Sequence, residues 1–223
     1  LNSTSNNKVV NSVVNQNNIS GILIQESYGN QILDSTFNEN AVYGIIIFNS
    51  SGNTFSNLAV NLNGIIGNML GVNESGGVLI DHSSNNTLIN VKVYNNSRFG
   101  LHFYNSSNNL IKNSIIQDNS EEGIHLHSSK DNIFYNNLLN NSVNVGFEGL
   151  IYRNFWNTNK QSGTRIYSPG LEIGGNYWTN STGNGFSDTC ADNNKDGFCD
   201  SYYQLNETGP NIDYYPLSNK YII

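Results

Sequence analysis

Little in this sequence is charged, and the smaller share of that charge is basic. Ten Lys and Arg stand against seventeen Asp and Glu, the net charge is −7, and 12% of the 223 residues are charged. Neutralising a phosphate backbone takes a clustered basic stripe. The scattered Lys and Arg form none, which excludes nucleic acid as a partner. No apolar run approaches the ~20 residues that cross a bilayer, so no membrane span is expected. The chain opens without a signal-peptide pattern and reads as a mature chain or an excised piece. Amphipathic helices are missing too, since no window shows apolar residues at a 3.6-residue period. Cysteine is scarce. Cys190 and Cys199 are the only two, close together in a Gly/Asp/Asn-rich loop, and such a pair suits a disulfide in an oxidising compartment.

What the chain does have is asparagine, 44 residues of it, and a repeat. Gly21, Gly44, Gly77, Gly100, Gly123 and Gly146 recur every 23 residues, with ten extra between Gly44 and Gly77. Ser27, Ser50, Ser83, Ser106 and Ser129 keep one phase, and Asn30, Asn53, Asn86, Asn109 and Asn132 keep another. A further column holds Asn40, Asn63, Asn96 and Asn119, with Ser142 in the last unit. A fixed period in the low twenties marks a solenoid. Asn fits its corners, because it tolerates left-handed backbone and can stack as an amide ladder.

Apolar residues select the kind of solenoid. Pairs two apart follow each glycine: Ile22/Ile24, Ile45/Ile47, Val78/Ile80, Leu101/Phe103 and Ile124/Leu126. Members of such a pair face the same side of a strand. Two more columns are Ile32, Phe55, Leu88, Ile111, Phe134 and Phe37, Val60, Val93, Ile116, Leu139. Three short strands per ~23-residue coil, stacked about 4.8 Å apart, make an all-β, right-handed single-stranded parallel β-helix. A leucine-rich repeat would need more leucines and a helical side. The expected division is a β-helix over 1–174 and a small loop-rich cap over 175–223. Asn154-Phe155-Trp156 reads as one more corner and inward strand, one residue out of phase.

Three stretches are candidates for function. Residues 64–73 should loop out at a corner, where Ile65, Ile66, Met69 and Leu70 offer an apolar contact surface or fold over the outward Leu23, Ile46, Phe48 and Leu79. The repeat phase also runs back to Thr4, so the first coil is expected to be an open edge for copies of itself or neighbouring surface proteins. Further along the same outward face come Asp81, His102, Tyr104, His125 and His127. Neutral imidazoles suit copper or zinc, and a Tyr/His/Asp surface also suits a glycan. Ordinary solvated stacking remains open. Sequons at Asn2, Asn18, Asn49, Asn73, Asn85, Asn95, Asn105, Asn140, Asn180 and Asn206 allow N-glycosylation.

The tail holds the sharpest motif, Asp192-Asn193-Asn194-Lys195-Asp196-Gly197-Phe198-Cys199-Asp200. Asp192, Asn194, Asp196, the Phe198 carbonyl and Asp200 fall at the oxygen-ligand spacing of a Ca²⁺ loop, with Gly197 at the turn. Tyr203 stands where such a loop places its bidentate Glu, so a further ligand is expected from Asp213 or Asp188. Gly175-Asn176-Tyr177-Trp178, the Asp-rich run and Ile212-Asp213-Tyr214-Tyr215-Pro216-Leu217 together resemble the end of NosD-like β-helix surface proteins, abundant in archaea. The resemblance implies a cap that seats Tyr177 and Trp178 on the last coil and ties its loop with calcium. The namesake's role in copper delivery to nitrous-oxide reductase is a function the resemblance brings with it.

Three functions follow. The first is an extracellular or cell-surface structural or adhesive module, stabilised by calcium and assembling end to end. The second is a carbohydrate-binding or carbohydrate-active protein of the lyase, hydrolase or epimerase kind, for which fold alone is a weak argument. Such catalysis needs paired carboxylates, or a base with Lys/Arg and calcium. The outward face shows one Asp and three His, with Glu121, Glu122 and Arg98 placed at corners, which argues against an enzyme. The third is copper or zinc binding at the His patch.

Overall fold

A computed structural model describes residues 1–65, 74–207 and 209–220. Its largest sheet stacks six parallel strands of six residues each: β2 (Ser20–Gln25), β5 (Tyr43–Phe48), β8 (Gly76–Asp81), β11 (Phe99–Tyr104), β14 (Glu122–His127) and β17 (Val143–Glu148). A second stacks β1 (Lys8–Val10), β3 (Gln31–Leu33), β6 (Thr54–Ser56), β9 (Thr87–Ile89), β12 (Leu110–Lys112) and β15 (Ile133–Tyr135). The third stacks β4 (Thr36–Asn38), β7 (Ala59–Asn61), β10 (Lys92–Tyr94), β13 (Ile115–Gln117), β16 (Leu138–Asn140) and β20 (Tyr177–Thr179). This is a parallel β-solenoid. Partners lie 23 residues apart, as in Ile22↔Ile45, and 33 apart across the insertion, as in Ile45↔Val78. The extra ten residues therefore leave the stack undisturbed. Among the described residues no helix is long and apolar enough to cross a membrane.

Inward side chains from the three sheets meet in one core. Ile24, Ile32, Phe37, Ile47, Phe55, Val60, Ile80, Phe103, Ile111 and Phe134 are fully buried within it. Each such side chain contributes about 1.5–3 kcal/mol by leaving water. The glycine column has a steric cause. A Cβ on Gly100 would lie 2.5 Å from the Gly123 carbonyl oxygen and 2.7 Å from Asn119 Nδ2.

Polar ladders run beside this core. Asn53 Oδ1 accepts the backbone N–H of Asn30 at 2.9 Å and its side-chain NH₂ at 3.1 Å. The pattern repeats through Asn86, Asn109, Asn132 and Asn154. A second ladder runs Asn40, Asn63, Asn96, Asn119 and then Asn141. Asn141, not Ser142, therefore follows Asn119, because this coil is one residue shorter there, and Asn141 in turn donates to Asn144 Oδ1. The laddered Asn are not the left-handed residues. Those come one position earlier, as at Asn85 (φ 56°), Asn95 (φ 55°) and Asn108 (φ 56°), turning the chain so that the next side chain points inward.

The solenoid closes on aromatic rings. Trp156 stacks on Phe134 at 4.5 Å, and Trp178 follows at 5.8 Å. Asn154 stands 22 residues after its rung partner Asn132, the expected slip of one. Beyond lie two small antiparallel pairs, β18 (Gln161–Ser162) with β19 (Glu172–Ile173) and β21 (Tyr203–Gln204) with β22 (Ile212–Asp213), and a short helix α1 (Phe186–Thr189). Cys190 and Cys199 form a disulfide.

Candidate metal centre

The site grows from one register. Leu79, His102, His125 and Gly146 are successive partners across β8, β11, β14 and β17, and Asp81, Tyr104, His127 and Glu148 run parallel to them. Gly146 thus stands in the histidine column, not the glycine column. The last coil is two residues short, so Gly123 is no partner of Gly146, and His125 and His127 pair 21 residues on. That shift sets Glu148 beside His127.

His125, His127 and Glu148 bring one ligand atom each to within 4.8 Å of one another, the only group of three or more His, Cys, Asp or Glu to do so among the described residues. Glu148 Oε2 lies 3.2 Å from His125 Nε2 and 3.7 Å from His127 Nδ1. The far nitrogen of the buried His125, Nδ1, meets Glu122 Oε2 at 2.7 Å. A carboxylate on Nδ1 fixes ring orientation and tautomer and turns Nε2 towards the groove's ligand atoms, as behind metal-bound histidines. Phe99 stacks on the His125 ring at 4.5 Å and Tyr104 on the His127 ring at 4.5 Å, holding both flat.

A groove of about 470 Å³ opens over these groups, bordered by Glu74, Arg98 and His102 as well. Arg98 is paired with Glu121 at 2.7 Å. His102 is buried, with Nδ1 2.9 Å from the Tyr43 hydroxyl. Burial first, then the charges of His125, His127 and Arg98, push its imidazole down to about 3, so it is neutral at ordinary pH. The same burial raises the Tyr43 phenol.

Some expected residues fall elsewhere. Asp81 turns to His82 Nδ1 at 2.5 Å and does not border the groove. The expectation that the face lacks clustered carboxylates is corrected, since Glu122 opens strand β14 and Glu148 ends β17. Ile66, Met69, Leu70 and Asn73 lie outside the described residues, and Ile65 is exposed. Asn49, Asn85, Asn95 and Asn105 are exposed left-handed corner residues, while Asn140 Oδ1 is buried without a partner. Asn2 and Asn18 are exposed, and Asn180 and Asn206 are engaged in turns.

In the cap, Asp213 is fully buried and accepts Asn176 N at 2.8 Å, Trp178 Nε1 at 2.8 Å and Tyr215 N at 3.0 Å. Asp188 accepts the Tyr177 hydroxyl, Thr179 Oγ1 and Gly185 N. Through these bonds both carboxylates hold the cap together.

The comparisons agree with this architecture. Residues 1–183 match the family described as "Periplasmic copper-binding protein (NosD)". The A-module of Azotobacter vinelandii mannuronan C-5 epimerase AlgE4 is 18% identical over 62% of this chain and 37% of its own, with TM-score 0.56. The periplasmic alginate epimerase AlgG, as its D317A mutant, is 21% identical over 67% and 35%, with TM-score 0.53. At that identity the likeness shows the fold alone, and the chain spans little more than a third of either neighbour. No curated protein is a significant match. The solenoid register and the match over most of its length place this chain in the NosD family.

Proposed function

We propose that this chain is a metal-binding β-helix module working outside the cytosol, holding a Cu(II)- or Zn(II)-class ion at His125, His127 and Glu148. The observation that carries this is Glu122 on Nδ1 of His125, which leaves Nε2 aimed at Glu148 and His127. Two imidazoles and one carboxylate are a borderline donor set that suits copper and zinc better than calcium or magnesium. Three protein ligands on an open groove keep a position for an exchanging partner. The family's periplasmic copper-binding description and the disulfide support the location and the metal class. End-to-end assembly and adhesion at the cell surface draw on sequence alone.

Titrating Cu(II), and separately Zn(II), into metal-free protein tests the site, by calorimetry and, for copper, by EPR. One site per chain with nitrogen coupling is expected. His125→Gln combined with His127→Gln should weaken binding at least about tenfold without moving the metal-free unfolding temperature by more than a few degrees. Equal binding by wild type and double variant overturns the reading and leaves a structural or adhesive scaffold.

The groove favours one second reading. Tyr104 stacked on His127 sets aromatic rings at the border of an open cleft, as recognition of a sugar ring requires. Binding of polyuronate oligosaccharides by metal-free protein, lost in Tyr104→Ala, would favour it; no binding would exclude it.

A further inference from the structure

The Asp-rich turn of the cap is built around an anion that is half unpaired. Asp192 is 5% exposed. Its Oδ2 accepts the Gly197 amide at 3.0 Å. Its Oδ1 is buried and has no hydrogen-bond partner. A buried, unpaired oxygen of an ionisable group costs on the order of 1–3 kcal/mol or more, so the turn is short of a cation or a donor.

The surroundings favour a cation. Cys190–Cys199 clamps the two ends, and Asp200 N donates to Ala191 O at 2.8 Å. Gly197, at φ 83°, reverses the chain between them. Asn194 Oδ1 and Asp196 Oδ1 each accept the amide two residues on, at 3.1 and 2.9 Å, and Asp200 Oδ2 accepts Asn193 N at 3.0 Å. Two side-chain cations lie on the turn, Lys160 Nζ on Asp196 Oδ2 at 3.0 Å and Arg165 Nη1 on the Gly197 carbonyl at 2.6 Å, and neither hydrogen-bonds Asp192 Oδ1.

We infer that the turn 192–200 binds a calcium ion, with Asp192 Oδ1 as the anchoring ligand and Asn194, Asp196, the Phe198 carbonyl and Asp200 completing the protein's share. Oxygen donors at every second residue around a tight glycine turn suit the loose, high-coordination shell of calcium. They suit the rigid octahedron of magnesium less well. No bidentate Glu closes the loop, so solvent fills the remaining positions and the affinity is that of extracellular modules, around 10⁻⁴–10⁻³ M. Lys160 competes for Asp196, and its removal tightens the site.

The test reads thermal unfolding of the full chain after chelation and dialysis, as CaCl₂ or MgCl₂ is added. Calcium at ten times its dissociation constant or more should raise the unfolding temperature by about 3–8 °C, magnesium by less. Asp192→Asn keeps an acceptor for Gly197 and removes the charge; it should abolish the calcium response and leave the ion-free unfolding temperature within a few degrees. Should that variant not fold, Asp200→Asn and Tb³⁺ luminescence on wild type serve instead. Lys160→Ala should lower the calcium midpoint several-fold. No calcium response in wild type, an equal response to magnesium, or a response retained in the Asp variants overturns the proposal. Replacing His125 and His127 must leave the response unchanged, which separates this site from the His cluster.

Discussion

The solenoid and its cap are held by the same chemistry arranged in opposite ways. Between coils the same bond recurs at every level, Asn amide to Asn oxygen, so losing one rung leaves the others in place. In the cap every bond occurs once. Asn211 accepts Trp156 Nε1 at 3.0 Å, Asp213 accepts Trp178 Nε1, and Ser187 Oγ accepts Trp178 N at 2.8 Å. The two regions are also joined, since Asn154 N donates to Asn211 Oδ1 and Asn137 N to Asn176 Oδ1. A repetitive structure spreads its stability, and a singular one concentrates it.

The largest break should come in the cap. Trp178→Ala empties the lid of the core and leaves Asp213 without one donor, and about 3–5 kcal/mol should be lost in denaturant unfolding. Hydrogen exchange should then open β16 and β20 first. A loss under ~1 kcal/mol would mean that the cap is dispensable to the coils. Next comes a single rung. Asn86→Ala removes the acceptor of both Asn53 N–H groups inside the stack, costing about 2–3 kcal/mol, with protection falling locally at the two adjacent coils.

Per pH unit, the smallest change comes from titration. Burial pushes Asp213 up to about 7, against the opposing pull of the N–H donors of Asn176, Trp178 and Tyr215. Between the ordinary carboxylate value near 4 and about 7, the folded cap holds a proton that the unfolded chain has lost. This contribution is therefore complete below about pH 4 and falls as pH rises towards 7, by at most ~1.4 kcal/mol per pH unit. Asp213→Asn should remove that slope from the stability profile while lowering stability throughout; a variant with the wild-type slope would reassign the effect.

How much could be read from sequence follows the same line. Ile24, Phe55 or Asn86 announce themselves because each has equivalents a coil away, and stacking demands the same side chain at the same place. The disulfide was legible from two cysteines alone. Glu148 was not, because the period that would have located it breaks in its own coil, and Glu122 read as a corner residue because only pairing shows that β14 begins with it. The part Asp213 plays in the cap was not legible either, because a sequence shows a carboxylate but not the Trp178, Asn176 and Tyr215 donors around it.

The two-residue shortfall between β14 and β17 has a wider consequence. In a strand, removing one residue turns every side chain to the wrong face, whereas removing two keeps the faces and slides the outer surface along by one position. Val145 and Phe147 still pack inward against the core, while outside a glycine slides in beside one histidine and a glutamate beside the other. Deletions in pairs therefore act as a vernier on a solenoid: they re-aim the exterior in fixed steps and leave the interior unaware, so new surface chemistry can be dialled in without refolding the coil.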